Sequence, residues 1–324
     1  MSCNRARGAL YGLAIGDALG MPTQMLSRER IASRYGRLSG FEPAPPDHPI
    51  AAGQPAGTVT DDTEQAVLLG RLLLRGPIDP RELAGALVAW EATMAERGSL
   101  DLLGPSTRRA VAAVLAGEDP ERTGRYGDTN GAAMRIAPVG IAVRGERLVD
   151  EVVAASSVTH NTGIALAGAA AVAAVVSAGV DGASFADALP LALAAARTAA
   201  RRGYWVAGAD VAARIEWAAG LVSGLPPDEA MDRIYTLVGT SLATQESVPA
   251  AFAVLAAVPR DPWRASLLAA SLGGDCDTIA AMAGAMGGAT SGTEAFPAGA
   301  IAVIDDQGFE LGRLADDLYQ IRGS

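Results

Sequence analysis

Two short stretches of this sequence carry more carboxylate than a helix start requires. Residues 58 to 66 read TVTDDTEQA, placing Thr60, Asp61, Asp62 and Thr63 just before an apolar helical run. Residues 273 to 284 read GGDCDTIAAMAG, placing Asp275, Asp277 and Thr278 just before another. One reading is capping. Asp61 with Glu64 three residues later has capping-box spacing, and acids in a first turn complement the helix dipole. Asp275 and Asp277 can be read the same way. Yet a cap needs one acceptor, and each stretch offers two carboxylates and at least one hydroxyl. Gly273 and Gly274 let the chain turn sharply ahead of the second pair. If the two helix starts face each other, four carboxylates converge and raise one another's pKa. A hard divalent cation such as Mg²⁺ or Mn²⁺, which takes oxygen ligands, relieves that repulsion.

Three more stretches contain residue types able to do chemistry. In YGDTNGAAMRIAPVGI, Gly127 and Gly131 flank Asp128, Thr129 and Asn130, and Met134 follows. A loop of this kind at a helix start can present backbone N–H groups to an anionic ligand, although it also reads as an ordinary loop and cap. SVTHNTG holds His160, one of two histidines. A lone histidine before an apolar helix is more often structural than catalytic. RGSLDLLGPSTRRA holds Asp101 in a Gly/Pro-bounded loop, where by itself it is a solvated acid.

The elements that must position these residues are helical. Apolar residues recur with helical period over 64–75, 80–95, 105–116, 146–158, 163–179 and 184–202. The same holds for 207–222, 227–238, 247–257, 261–272 and 278–288. Pro80, Pro105 and Pro227 fall near helix starts, where proline is tolerated. No stretch alternates like a strand. Gly8, Gly12, Gly16 and Gly20 recur every fourth residue, so on a helix they form one bare face against which a second helix can pack closely. The segment 39–57 is a long Pro/Gly-rich loop leading directly into the first acidic cluster, and loops of that length are often functional.

Composition narrows the class. The chain has 324 residues, half of them hydrophobic, enough for a large core. A net charge of −10 disfavours nucleic acid and anionic membrane as partners. Cys3 and Cys276 are too few and too far apart for a disulfide framework and fit a reducing compartment. No secretory signal is apparent, so a cytoplasmic location is expected. The run 163–180 is long enough to span a membrane, but it is mostly Ala, Gly and Val and reads as a buried helix.

Together the stretches resemble the ADP-ribosylglycohydrolase family. The matching segments are GDALG at 16–20, TDDT at 60–63, NGAAMR at 130–135, TH at 159–160 and GGDCDT at 273–278, in family order over nearly the whole chain. The resemblance implies an all-α, compact single domain over residues 1–324 with a centre of two Mg²⁺ or Mn²⁺ ions. Carried over by motif, Thr60, Asp61 and Asp62 ligate one metal. Asp275, Asp277 and Thr278 complete the pair, with Asp277 as the bridge. The loop from Gly127 through Asp128, Thr129, Asn130 and Gly131 to Met134 holds ribose and phosphates, with His160 near the same pocket. Family members cleave the bond at C1″ of an ADP-ribosyl group, which builds oxocarbenium character at that carbon.

One position departs from the pattern. Where the family has a Glu shortly after GDALG, this chain has Gln24, which cannot ionise. Asp101, in a segment similar to the family's middle Asp-x-x-Gly, is then the candidate for the acid/base role. Two alternatives follow: a hydrolase of a smaller riboside (nucleoside or nucleotide), or a non-catalytic module that binds ADP-ribose-like ligands.

Overall fold

A computed structural model of the chain describes residues 2–97 and 103–323. Asp101 lies outside the described residues. Within them the chain is all-α, with only two isolated bridges, Thr129 to Ala243 and Thr162 to Tyr204. The first group of helices is α1 (Ser2–Gly20), α2 (Arg28–Tyr35), α3 (Asp61–Leu73), α4 (Pro80–Glu96), α5 (Pro105–Leu115) and α6 (Pro120–Thr123). Next come α7 (Gly131–Met134), α8 (Ala137–Ala142), α9 (Leu148–Ser156), α10 (Gly163–Val180), α11 (Phe185–Ala199) and α12 (Val211–Val222). The last are α13 (Pro227–Arg233), α14 (Thr244–Ala257), α15 (Pro262–Ala270), α16 (Cys276–Ser291), α17 (Ala298–Asp305) and α18 (Leu311–Gln320).

The glycine face of α1 does what its spacing predicts. A Cβ on Gly12 would lie 2.1 Å from the Gly284 carbonyl oxygen, and one on Gly284 would lie 2.0 Å from that of Gly12. Gly8 faces Gly288, Gly16 faces Ala280 and Gly20 faces Asp277 in the same way. The helices α1 and α16 are therefore antiparallel and touch backbone to backbone. That register brings the last turn of α1 to the first turn of α16, where Asp275 and Asp277 stand.

Around this pair lies one main hydrophobic cluster, running from Ala6 to Leu318. The apolar run 163–180 is α10, and 94% of it is buried inside the protein. Helix neighbours cover it on all sides, which explains a sequence apolar all the way round.

Helices α2, α6, α8, α17 and α18 fall outside the expected set. Helix α18 (LGRLADDLYQ) buries Leu311, Leu314, Ala315 and Leu318. Its short apolar stripe sits among charges, so the periodic signal is weak. The cap of α3 also differs from the capping-box expectation. The N-cap is Thr60, whose Oγ1 accepts from the Asp62 N–H at 3.4 Å, and Asp61 is already the first helical residue. Glu64 does not reach back to the cap; its carboxylate accepts from Trp90 Nε1 at 2.5 Å.

Candidate active site

The carboxylates of α3 are spared from capping because another acid does that work. Asp17, on the last turn of α1, is fully buried. Its carboxylate accepts from the Thr60 N–H at 3.0 Å and Thr60 Oγ1 at 2.7 Å. It also accepts from the Thr63 N–H at 3.1 Å and Thr63 Oγ1 at 2.5 Å. Burial pushes the Asp17 carboxyl up to about 6, against the lowering effect of those donors. Sequence reasoning missed Asp17 as a site residue. The available signal was an acid inside an apolar glycine-faced helix, a place that demands a partner.

With its first turn held from behind, α3 presents Asp61 and Asp62 to a cavity of about 150 Å³. From the opposite side α16 presents Asp277 and Thr278, and the preceding loop presents Asp275. The loop reaches this position through Gly273 and Gly274, both at positive φ (87° and 74°). A Cβ on Gly274 would lie 2.3 Å from the Thr240 carbonyl oxygen, so the close approach also needs glycine. Asp275 is the formal N-cap of α16 but makes no capping hydrogen bond. Instead it accepts from Asn130 Nδ2 at 2.5 Å.

The two acidic starts therefore meet. Thr278 Oγ1 donates to Asp62 Oδ1 at 3.3 Å, while Asp62 Oδ2 is buried with no hydrogen-bond partner. Burial first, then the charges of Asp61, Asp17, Asp277 and Asp275, push the Asp62 carboxyl well above its ordinary value. Burial takes Asp275 to about 6, opposed first by its hydrogen bond from Asn130. Four acids are held where their ionised forms repel.

The facing wall comes from the 129–134 segment and His160. Thr129, Asn130, Gly131, Met134 and His160 all line the cavity, as does Gln24. Gln24 is buried and its Nε2 has no partner. Its backbone carbonyl accepts from His48 Nε2 at 2.9 Å, and His48 Nδ1 accepts from the Ala51 N–H at 2.8 Å. His48, the second histidine, thus fastens the 39–57 loop to the lip of the cavity, where Ile50 joins the lining. Nothing in the local sequence around His48 signals that role.

Three residues named from the motifs stand off the cavity lining. Gly127 packs on the 159–160 backbone, where a Cβ would lie 2.0 Å from the Thr159 carbonyl oxygen. Asp128 is exposed, and its backbone carbonyl accepts from Thr244 Oγ1 at 2.8 Å. Thr60 has its hydroxyl committed to Asp17 and lines an adjoining cavity of about 280 Å³, which shares Ile50 and Asp61 with the first.

Hard oxygen donors around one cavity, with an orphaned carboxylate oxygen on Asp62, suit a divalent cation in donor chemistry. As placed, no three His, Cys, Asp or Glu side chains among the described residues close on a single point. Side-chain rotation is needed to complete a coordination shell.

A profile of the ADP-ribosylglycohydrolase family matches residues 2–324. The chain belongs to that family. It is 36% identical to the uncharacterized protein YegU of Escherichia coli (strain K12), over 94% of this chain and 93% of that protein. It is 27% identical to the ADP-ribosyl-dinitrogen reductase glycohydrolase of Rhodospirillum rubrum, over 99% and 97% of the two chains. The solved structure of an ADP-ribosylglycohydrolase-related protein complex superposes with a TM-score of 0.71 at 26% identity, covering 99% of this chain and 98% of that one. These likenesses bear out the all-α fold and make the chain a member of a family of glycoside hydrolases.

Proposed function

We propose that this protein hydrolyses the C1″ glycosidic bond of an ADP-ribosyl group with the aid of divalent metal, Mg²⁺ or Mn²⁺. The observation that carries the reading is the meeting of Asp61 and Asp62 with Asp275 and Asp277 in one cavity, opposite Asn130 and His160. Asp61, Asp62, Asp275, Asp277 and Thr278 would hold the metals, which supply Lewis acidity and a water of lowered pKa. Thr60 holds the ledge in place through Asp17 rather than pointing at the cavity.

The chain's own residues do the rest. Asn130 fixes Asp275, and Thr278 fixes one oxygen of Asp62. Cleavage develops positive charge at C1, and the carboxylates close by stabilise it. Asp101 is our candidate for the carboxylate that orients water or protonates the leaving group; in sequence it stands three residues before Gly104, which lines the cavity. An ADP-ribosyl group needs more room than the first cavity gives. The adjoining cavity, joined at Asp61 and Ile50, provides it.

A second reading has its own support. The small volume of the first cavity and the uncharged Gln24 at its lip favour a shorter riboside such as a nucleoside. The deciding experiment incubates the protein with Mg²⁺ or Mn²⁺ and either ADP-ribosylated protein, ADP-ribose or a nucleoside panel, with products read by mass spectrometry. Released ADP-ribose supports the first reading. Ribose and free base from nucleosides alone replace it with the second. No cleavage of any of them overturns both.

A further inference from the structure

Among the described residues Arg135 is the largest fully buried side chain, at 1% exposure. A buried guanidinium is costly and persists only where it is well used. Among the described residues the other buried arginine is Arg322. It spends its donors on carbonyls of α8 and α10 and on Asp181, far along the chain from the acidic stretches. Arg135 instead lies behind the candidate site. Its Nη1 donates to Gln65 Oε1 at 2.9 Å and its Nη2 to Thr159 Oγ1 at 2.6 Å.

Counting protons along these contacts gives every group a direction. A guanidinium only donates. Gln65 must therefore turn its oxygen to Arg135, which leaves its Nε2 facing Asp61 Oδ2 at 2.9 Å. The reversed amide would set N–H against N–H and oxygen against carboxylate. Thr159 Oγ1 likewise accepts from Arg135, so its single proton is left for His160 Nδ1 at 2.7 Å. The neutral ring then carries its hydrogen on Nε2, which donates to Thr129 Oγ1 at 3.0 Å. Thr129 passes its own proton to Ser106 Oγ at 2.9 Å. Gly131 makes room for the ring; a Cβ there would lie 2.7 Å from His160 Cε1.

We infer that Arg135 is a positioning residue for this site: through Gln65 it aims a donor at Asp61, and through Thr159 it fixes His160 as the Nε2–H tautomer. One buried cation thus orders both the acidic ledge and the opposite wall. The inference rests on the hydrolase reading only where its effect is sought in turnover.

The test labels the histidines with ¹⁵N and reads ring tautomers by NMR at neutral pH, with no substrate present. The chain has two histidines. His48 serves as an internal reference, being Nε2–H by its own contacts with Gln24 and Ala51. His48→Gln assigns the signals. Wild type is expected to show His160 neutral and wholly Nε2–H. Thr159→Val removes the relay hydroxyl and leaves Arg135. Arg135→Lys keeps the charge but loses the two-pronged geometry. In both, the Nε2–H form of His160 is expected to give way to a mixture while His48 stays unchanged. Turnover is expected to fall ~10²-fold, chiefly in kcat, as misplacement of a site group does.

A wild-type His160 carrying its hydrogen on Nδ1 overturns the inference. So does a folded variant of either kind with His160 still wholly Nε2–H, or a shifted tautomer with undiminished turnover. If wild type cleaves no ADP-ribosyl group, the hydrolase reading falls and the tautomer result still decides the role of Arg135.

Discussion

Gln24 holds its Nε2 in the cavity without a hydrogen-bond partner, beside four carboxylates. Glutamate has nearly the same shape, so Gln24→Glu tests charge rather than packing. In metal-free protein a fifth carboxylate lining the cavity adds repulsion, and melting is expected at a lower temperature than wild type. Mn²⁺ is expected to raise Tm more in the variant than in wild type, and ADP-ribosyl hydrolysis is expected to increase. Thermal melts with and without Mn²⁺, paired with product assays, check both points. Equal melts and equal rates would put position 24 outside the chemistry. Asp17 acts differently. Asp17→Ala leaves the N–H and hydroxyl donors of Thr60 and Thr63 unsatisfied, at a cost on the order of 3 kcal/mol in denaturant unfolding. The two TDDT and GGDCDT clusters were legible because paired carboxylates exceed what capping needs. Asp17, His48 and Arg135 were not, because each works through partners 24 to 70 residues away in sequence that no local pattern announces.

At the scale of elements, the contact of α1 with α16 sets the site. Most helices could be read from their period, and the α1 glycine face from its four-residue spacing. The partner of that face could not, since nothing in GALYGLAIGDALG names Gly284 or Gly288. The antiparallel register makes a graded prediction. A methyl at Gly8 would meet the Gly288 carbonyl oxygen at 2.4 Å, at the end remote from the acids. A methyl at Gly20 would meet the Asp277 Cα at 2.2 Å, within the site itself. Both changes overpack the interface and are expected to cost about 1–3 kcal/mol. Only Gly20→Ala is expected to weaken divalent-metal binding as well, because it displaces the backbone that carries Asp277. Mn²⁺ titration calorimetry on the two variants separates them. Equal affinities would show that the acidic ledge does not depend on this register.

Across the whole molecule, buried charge makes stability depend on what is bound and on pH. Divalent metal held by the converging carboxylates should stabilise the fold by mass action, by about 2.7 kcal/mol at a hundredfold excess over Kd. A Tm indifferent to EDTA and to millimolar Mn²⁺ would count against the metal site. Protons act through a separate group. Burial, then Arg135 and Arg109, hold the His160 ring well below the ordinary histidine pKa of about 6.5. Above that value neither the folded nor the unfolded chain protonates it, and its neutral hydrogen bonds contribute fully. As pH falls through 6.5 the unfolded chain takes up the proton and the folded chain does not. Stability is then lost at up to about 1.4 kcal/mol per pH unit until the folded pKa is reached. The raised carboxyls of Asp17 and Asp275 push the other way, gaining stability as pH drops from about 6 toward the unfolded value. A wild-type melt alone therefore mixes opposite trends. Comparing wild type with His160→Gln isolates the histidine, since both chains share the carboxyls. The variant is expected to be the less stable at pH 7.5, and the gap in Tm is expected to narrow steadily toward pH 5. A gap that stays constant over that range would mean that His160 protonates as readily inside the fold as outside it, and that it is not the sealed neutral ring its contacts describe.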